Sequence, residues 1–338
     1  MLTNLEDLTK HENRKFKDFP NLDFDSPISS ISNFKNYYIE NFGLKAALVN
    51  SYIHLKNNIL NEDPIPNKVV KGLDGWYFLG NHHNNIISDS FGNDSFSENE
   101  LNVICKNIIE LNAYFVAKKI KFYLVIPPNK SSIYREQLPY QLTKHATKFT
   151  SFKNSLEDRF GFKIIDLSSE MLSKKNDSLL YMKTDTHWND YGAFIGYSKV
   201  IDVLNAHHLN IPKVSLNTYR INHKFISGDI TPMINNNTLE RTIVFEKKSN
   251  TKINNLSESY KHQRYYNPDG NKKLLMFRDS FANAWTPYFS ESFKESVFLT
   301  DYIIDYSLIE KENPDVVILE VVERNFLEVL LNLKKRPS

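Results

Sequence analysis

Short apolar runs of strand length punctuate this chain: Lys121–Ile126, ending in Pro127-Pro128, then Lys273–Phe277, Glu295–Leu299 and Asp315–Val321. Between them lie stretches whose apolar residues recur at helical spacing. Ser97-Glu98-Asn99-Glu100 reads as a capping box, and the helix it opens runs toward Lys119 with Leu101, Ile104, Cys105, Ile108, Leu111 and Phe115 on one face. Further helices are expected at Lys148–Phe160, at Asp190–Asn205 and from Asn325, with a short strand at Lys163–Leu167. Strands alternating with helices predict an α/β fold: a mostly parallel sheet with helices on both faces.

Residues 1–70 are polar, and Pro20, Pro27, Pro64 and Pro66 bound a stretch, Ile31–Leu60, with helical periodicity. This predicts an N-terminal helical arm packed on a catalytic domain spanning 71–338. Inside that domain the rhythm breaks at His207–Tyr266, which is rich in Asn and Lys. Residues 207–270 are expected to form a loop or hairpin insertion near the site, with one strand at Thr242–Glu246. A chain of 338 residues favours one large domain with an appended segment over several small ones.

Two segments hold the chemistry. Thr184-Asp185-Thr186-His187-Trp188-Asn189 places an Asp two residues before a His, and Phe277-Arg278-Asp279-Ser280-Phe281 places a Ser just past the C-terminal end of an apolar strand that follows the turn Asn267-Pro268-Asp269-Gly270. Open α/β sheets put their active sites at that end of their strands. Alone, the first segment could be a surface loop and the second a helix cap. Together they supply a triad, with Asp185 orienting the imidazole, His187 taking the proton and Ser280 attacking. Acyl transfer is the chemistry this set supports.

Blocks along nearly the whole chain resemble the SGNH-hydrolase-like O-acetyltransferases of the alginate acetylation (AlgJ/AlgX) type: Glu12-Asn13-Arg14, Gly72-Leu73-Asp74-Gly75-Trp76-Tyr77-Phe78, Pro127-Pro128-Asn129-Lys130, Asp185-Thr186-His187-Trp188 and Arg278-Asp279-Ser280-Phe281. Ser227-Gly228-Asp229-Ile230 and Glu323-Arg324 fit the same pattern. The resemblance implies Ser280 as nucleophile, His187 as general base and Asp185 as its orienting partner. It also implies an order of elements unlike that of ordinary SGNH hydrolases, since the Asp-His element precedes the Ser. An SGNH-like domain that is circularly permuted would have that order, with Arg324 where an oxyanion-hole Asn falls and Tyr302 near the Gly block. Neither of those two blocks is intact, so the second oxyanion donor is open between Tyr302, Arg324 and a backbone amide. An ion pair with Asp279 or Glu320 is the alternative for Arg324.

The 42 basic and 40 acidic residues nearly cancel, and no basic stripe with interleaved aromatics marks a nucleic-acid surface. A lone Cys105 forms no internal disulfide and sits on an apolar helix face. His82-His83 and His207-His208 lack the spacing of a built metal site, so no metal is expected. Lys130, after a strand end, either faces the cleft to meet an anionic substrate or is a solvated loop lysine. Trp188 is either a sugar platform or a core aromatic that fixes the His loop.

The function expected is transfer of an acetyl group through a Ser-linked acyl-enzyme onto hydroxyls of a bacterial surface polysaccharide or its precursor. An acetyl esterase with the same triad and a non-catalytic carbohydrate-binding member are the alternatives. No bound cofactor is expected; the acetyl donor is acetyl-CoA, or a membrane acyltransferase partner relays the group. No apolar run reaches the length of a membrane span. Members of the family carry a leader or anchor ahead of the Glu-Asn-Arg block, so the site of action is periplasmic or cell-envelope associated if a leader has been removed, and cytoplasmic otherwise.

Overall fold

Consecutive apolar residues in a strand need cover on both faces, and the computed structural model provides it. It describes residues 18–21, 25–41, 45–60, 62–140, 146–236, 238–249 and 252–333, so the Glu12-Asn13-Arg14 block lies outside the described residues. In chain order the strands are β1 (Val69–Lys71), β2 (Tyr77–Leu79), β3 (Lys121–Ile126), β4 (Ile165–Asp166), β5 (Tyr219–Ser227), β6 (Leu239–Lys247), β7 (Asn254–Asn255), β8 (His262–Tyr266), β9 (Asn271–Phe277), β10 (Phe293–Leu299) and β11 (Val316–Glu320). Seven of them form one sheet in the order β4-β3-β11-β9-β10-β8-β7. From β4 to β10 neighbours run parallel, and β8 and β7 extend the β10 edge antiparallel.

The period of two is visible in where the side chains go. Leu274, Met276, Val316 and Ile318 enter one core cluster with Val200 and Ile201 of the Asp190–Ala206 helix and Phe289 of the Thr286–Ser292 helix. Leu275, Phe277, Val317 and Leu319 enter a second, with Ile104, Ile108 and Phe115 of the Glu98–Ala117 helix and Phe152 and Leu156 of the Lys148–Phe160 helix. The mostly parallel sheet with helices on both faces is therefore observed. The Glu98–Ala117 helix starts at the capping box read from the sequence: Ser97 Oγ accepts from the Glu100 N–H, and Glu100 accepts from the Ser97 N–H. Cys105 is buried on its core face.

Several local expectations change. The arm is two helices, Pro27–Asn41 and Lys45–His54, followed by the π-helical turn Leu55–Ile59. Pro27 opens the first, because its fixed φ and missing N–H suit a helix start. Ile28 is 85% and Ile31 69% exposed, so periodicity revealed the helix but not what covers it. The stretch before β3 also holds a hairpin, β1–β2, whose turn places Asp74 and Gly75 at φ 49° and 80°. A two-residue turn with both φ positive matches the twist of a hairpin, which accounts for the Asp-Gly pair. Where one strand was expected between 207 and 270 there are four, with β5 and β6 forming a long ribbon and β8 joining the main sheet. Among the described residues no helix is long and apolar enough to cross a membrane.

Candidate active site

β9 ends at Phe277, and the next residues are bolted to the end of its neighbour β11. Asp279 makes the connection. Its Oδ1 accepts from the Phe281 N–H (2.7 Å), and its Oδ2 accepts from the Val322 N–H (2.8 Å) and the Tyr302 hydroxyl (2.8 Å). Its own N–H donates to the buried Glu320 carboxyl at 2.9 Å. Burial and the nearby Asp279 push Glu320 well above the ordinary carboxyl range. Ser280 follows, and the 3-10 turn Phe281–Trp285 starts directly after it.

The His187 loop arrives from the opposite side. Asn189 caps the Asp190–Ala206 helix by accepting from the Gly192 N–H at 2.9 Å, which fixes where the loop leaves the helix. Trp188 is buried, donates its indole N–H to the Phe281 carbonyl (3.0 Å) and packs on Trp285 at 5.0 Å between ring centres. It is therefore the aromatic that fastens the His loop to the Ser turn, with no face left as a sugar platform. His187 Nε2 lies 2.8 Å from Ser280 Oγ, and His187 Nδ1 lies 2.7 Å from Asp185 Oδ1. With the proton on Nδ1, Nε2 is free to accept the serine proton. Burial would raise the Asp185 carboxyl, but hydrogen bonds from the side chain and backbone of His187 outweigh it and hold the group below the usual carboxylate range.

A third segment closes over this loop. The Asp229 N–H donates to Asp185 Oδ2 (3.0 Å), while the Asp229 carboxylate accepts from the Thr186 N–H (2.6 Å) and hydroxyl (2.7 Å). Asp185, His187 and Asp229 thus bring one side-chain atom each within 4.8 Å, a cluster that hydrogen bonding accounts for. Gly228 explains the close approach, since a Cβ there would sit 2.1 Å from the Thr184 carbonyl oxygen. Gly228→Ala must push one backbone off another. It is expected to destabilise the protein by about 3 kcal/mol and to lower turnover, read by thermal unfolding and an acetyl-ester assay. The Ser-Gly-Asp-Ile block was visible in the sequence; Glu240, which accepts from the Lys183 and Thr184 N–H groups, carried no local signal.

Three expected substrate residues take definite places. Lys130 neither faces an anionic substrate nor lies in solvent: it is buried, and its ammonium donates to the carbonyls of Met182, Lys183 and Asp185. A strand-end lysine reads as exposed unless the loop that folds over it is known. Tyr302 spends its hydroxyl on Asp279, so it braces the Ser turn rather than pointing at an oxyanion. Arg324 makes no ion pair among the described residues; its guanidinium lies 5.3 Å from the centre of the Phe281 ring. With Thr186, Asn129 and Phe78 it lines a crevice of only about 10 Å³, and with Asn129, Asn84, Asn85 and Glu323 it lines a larger cleft of about 300 Å³. Asn129 Oδ1 is buried there without a partner. Asn129 itself is held from behind, its N–H donating to Glu323 at 2.7 Å.

The family described as SGNH hydrolase-like domain, acetyltransferase AlgX, matches residues 69–277, a span that ends just before Ser280. No curated protein matches the chain. Among solved structures, PatB1 of Bacillus cereus superposes with a TM-score of 0.59 at 19% identity, covering 79% of this chain and 99% of that one. A DHHW family protein from Eubacterium siraeum gives 0.56 at 16% identity, covering 79% and 100%. The O-acetyltransferase domain of Pseudomonas putida AlgJ gives 0.54 at 14%, covering 77% and 92%. At these identities the likeness is one of fold.

Proposed function

Because the chain belongs to the SGNH hydrolase-like acetyltransferase family of AlgX, we propose that it is a serine-dependent O-acetyltransferase acting on hydroxyls of a bacterial surface polysaccharide or its precursor. The observation that carries this reading is the unbroken chain Ser280 Oγ, His187 Nε2, His187 Nδ1, Asp185 Oδ1, with both links under 3 Å. In the first half-reaction Ser280 Oγ gives its proton to His187 Nε2 and bonds to the donor's acetyl carbonyl carbon. The oxyanion then collapses and expels the leaving group, which takes the proton from His187. In the second, a sugar hydroxyl gives its proton to His187, attacks the acetyl-serine and leaves as the ester, and His187 returns the proton to Ser280.

The Ser280 N–H has no acceptor among the described residues and is the first oxyanion donor in this reading. The same acyl-enzyme serves whether the acetyl group comes from acetyl-CoA or is relayed by a membrane acyltransferase. The acceptor enters by the larger cleft beside Arg324, whose guanidinium, in no ion pair among the described residues, offers a donor to a polar group of the sugar. A site that holds a sugar there keeps water from the acetyl-serine, which favours transfer over hydrolysis.

The test mixes the protein, in a chelator, with a chromogenic acetyl ester and a panel of oligosaccharides. Slow hydrolysis alone, and acetyl groups diverted onto one sugar by mass spectrometry, are expected. Fast hydrolysis with no transfer would identify an acetyl esterase instead. Arg324→Ala is expected to raise the acceptor's KM roughly tenfold, in line with loss of a hydrogen bond to a charged group, and to leave acetyl-enzyme formation near wild type. Slowed acetyl-enzyme formation would move Arg324 to the oxyanion side.

A further inference from the structure

The loop that carries Asp185 and His187 is gripped from two sides by opposite charges. On one side the buried Lys130 ammonium donates to the carbonyls of Met182 (3.1 Å), Lys183 (3.0 Å) and Asp185 (2.6 Å). On the other, Glu240 near the start of β6 accepts from the N–H groups of Lys183 (2.7 Å) and Thr184 (3.2 Å) and from the Thr184 hydroxyl (2.9 Å). The peptide groups between residues 182 and 185 therefore have a cation at their carbonyl side and an anion at their N–H side. Packing alone does not call for this. The rings of Trp76 and Phe78 lie 5.8 and 5.3 Å from the Lys130 ammonium, and an apolar side chain of similar length would fill the same space without desolvating a charge.

We propose that Lys130 and Glu240 act together as positioning residues, a two-sided charge clamp that sets Asp185 and, through it, the His187 ring. Neither touches the reacting atoms. The inference rests on the reading that Asp185 and His187 carry the proton transfer. It links the β5–β6 ribbon, which contributes Glu240, to the short helix Lys130–Ile133 after β3, which contributes Lys130.

A pH dependence follows from the same contacts. Facing Lys130 are the carboxylates of Glu240, Asp185 and Asp229; Lys183 shares the Trp76 ring, and Arg324 lines the adjoining cleft. Burial outweighs the carboxylates and lowers the Lys130 pKa to about 7. Below that value the ammonium has three N–H bonds for three carbonyls. As the pH rises through it, a neutral amine keeps two N–H bonds and turns a lone pair toward the third oxygen, so the grip weakens. Turnover therefore declines on the alkaline side.

The labelling of Ser280 by phenylmethanesulfonyl fluoride reads this without an acceptor: an Oγ–S bond forms, the S–F bond breaks, fluoride leaves and His187 takes the proton. Rates are measured across neutrality together with kcat and KM for the chromogenic acetyl ester. Lys130→Met should lose about 10²-fold in labelling rate, the scale of a displaced catalytic group, and should lose the alkaline decline. Glu240→Gln should lose about tenfold in kcat with KM unchanged, and the double variant should lose less than the product of the single losses, because it leaves no charge unopposed. An unaltered pH profile in Lys130→Met, or losses that multiply, would overturn the clamp. Should Lys130→Met fail to fold by circular dichroism, an unchanged kcat in Glu240→Gln overturns it alone. His187→Ala keeps the two readings apart: if it retains activity the triad fails, whereas a dead His187→Ala beside silent clamp variants sinks only the clamp.

Discussion

Ser280→Ala should reduce acetyl-ester turnover by on the order of 10³-fold or more while leaving the unfolding temperature close to wild type. The asymmetry comes from the contacts of the hydroxyl. Among the described residues Ser280 Oγ has one hydrogen bond, to His187 Nε2, and that partner keeps its other nitrogen on Asp185. Removing Oγ thus forfeits roughly 1 kcal/mol of net hydrogen bonding. The turn itself is held by Asp279, Glu320 and Tyr302, which the substitution leaves alone. Near-wild-type turnover in this variant would end the nucleophile assignment, and a large drop in unfolding temperature would mean that the hydroxyl has a structural duty these contacts do not reveal.

Asp185→Asn should come next, with a loss of about 10⁴-fold in kcat and little change in KM for a small ester, the scale seen when a triad's orienting carboxylate becomes an amide. Asp185 accepts from the His187 N–H (2.8 Å), from His187 Nδ1 and from the Asp229 N–H. All three are donors, and an Asn offers one acceptor oxygen in place of two. Either orientation of the amide sets an N–H against a donor. If it faces Nδ1, the imidazole moves its proton to Nε2 and can no longer take one from Ser280. Equal damage to KM and kcat would indicate instead that the loop has collapsed. The pH profile distinguishes the two, since a wrong tautomer lowers the rate at every pH while a misplaced loop also changes the slope.

How much of this was legible depended on sequence distance. The triad could be read because Asp185 and His187 are two residues apart and Ser280 follows directly on an apolar strand, both local signals. The Glu98–Ala117 helix was legible for the same reason, its cap lying three residues from its partner. Lys130 and Glu240 were not, because each acts on a loop more than fifty positions away and neither has a pattern of its own. Tyr302 was legible as a neighbour of the Ser turn and, from sequence, as one of three open candidates for an oxyanion donor. Its place after β10 put it near the Ser turn, but only the fold reveals that Asp279 takes its hydroxyl. The β5 strand was hidden by its composition, since a ribbon with much of both faces in solvent needs no regular alternation of apolar and polar residues.

The β5–β6 ribbon reaches the site with its turn end. Gly228, Asp229 and Glu240 at that end hold the Thr184–His187 loop, whereas Phe225 close behind them and Ile221 near the other end are 70% and 52% exposed. Demands on this segment are thereby divided along its length. The residues at the tip are tied to the loop that carries Asp185 and His187, and much of the nine-residue strand behind them faces solvent. Substitutions at these outward positions are therefore expected to leave the Asp185–His187 geometry as it is.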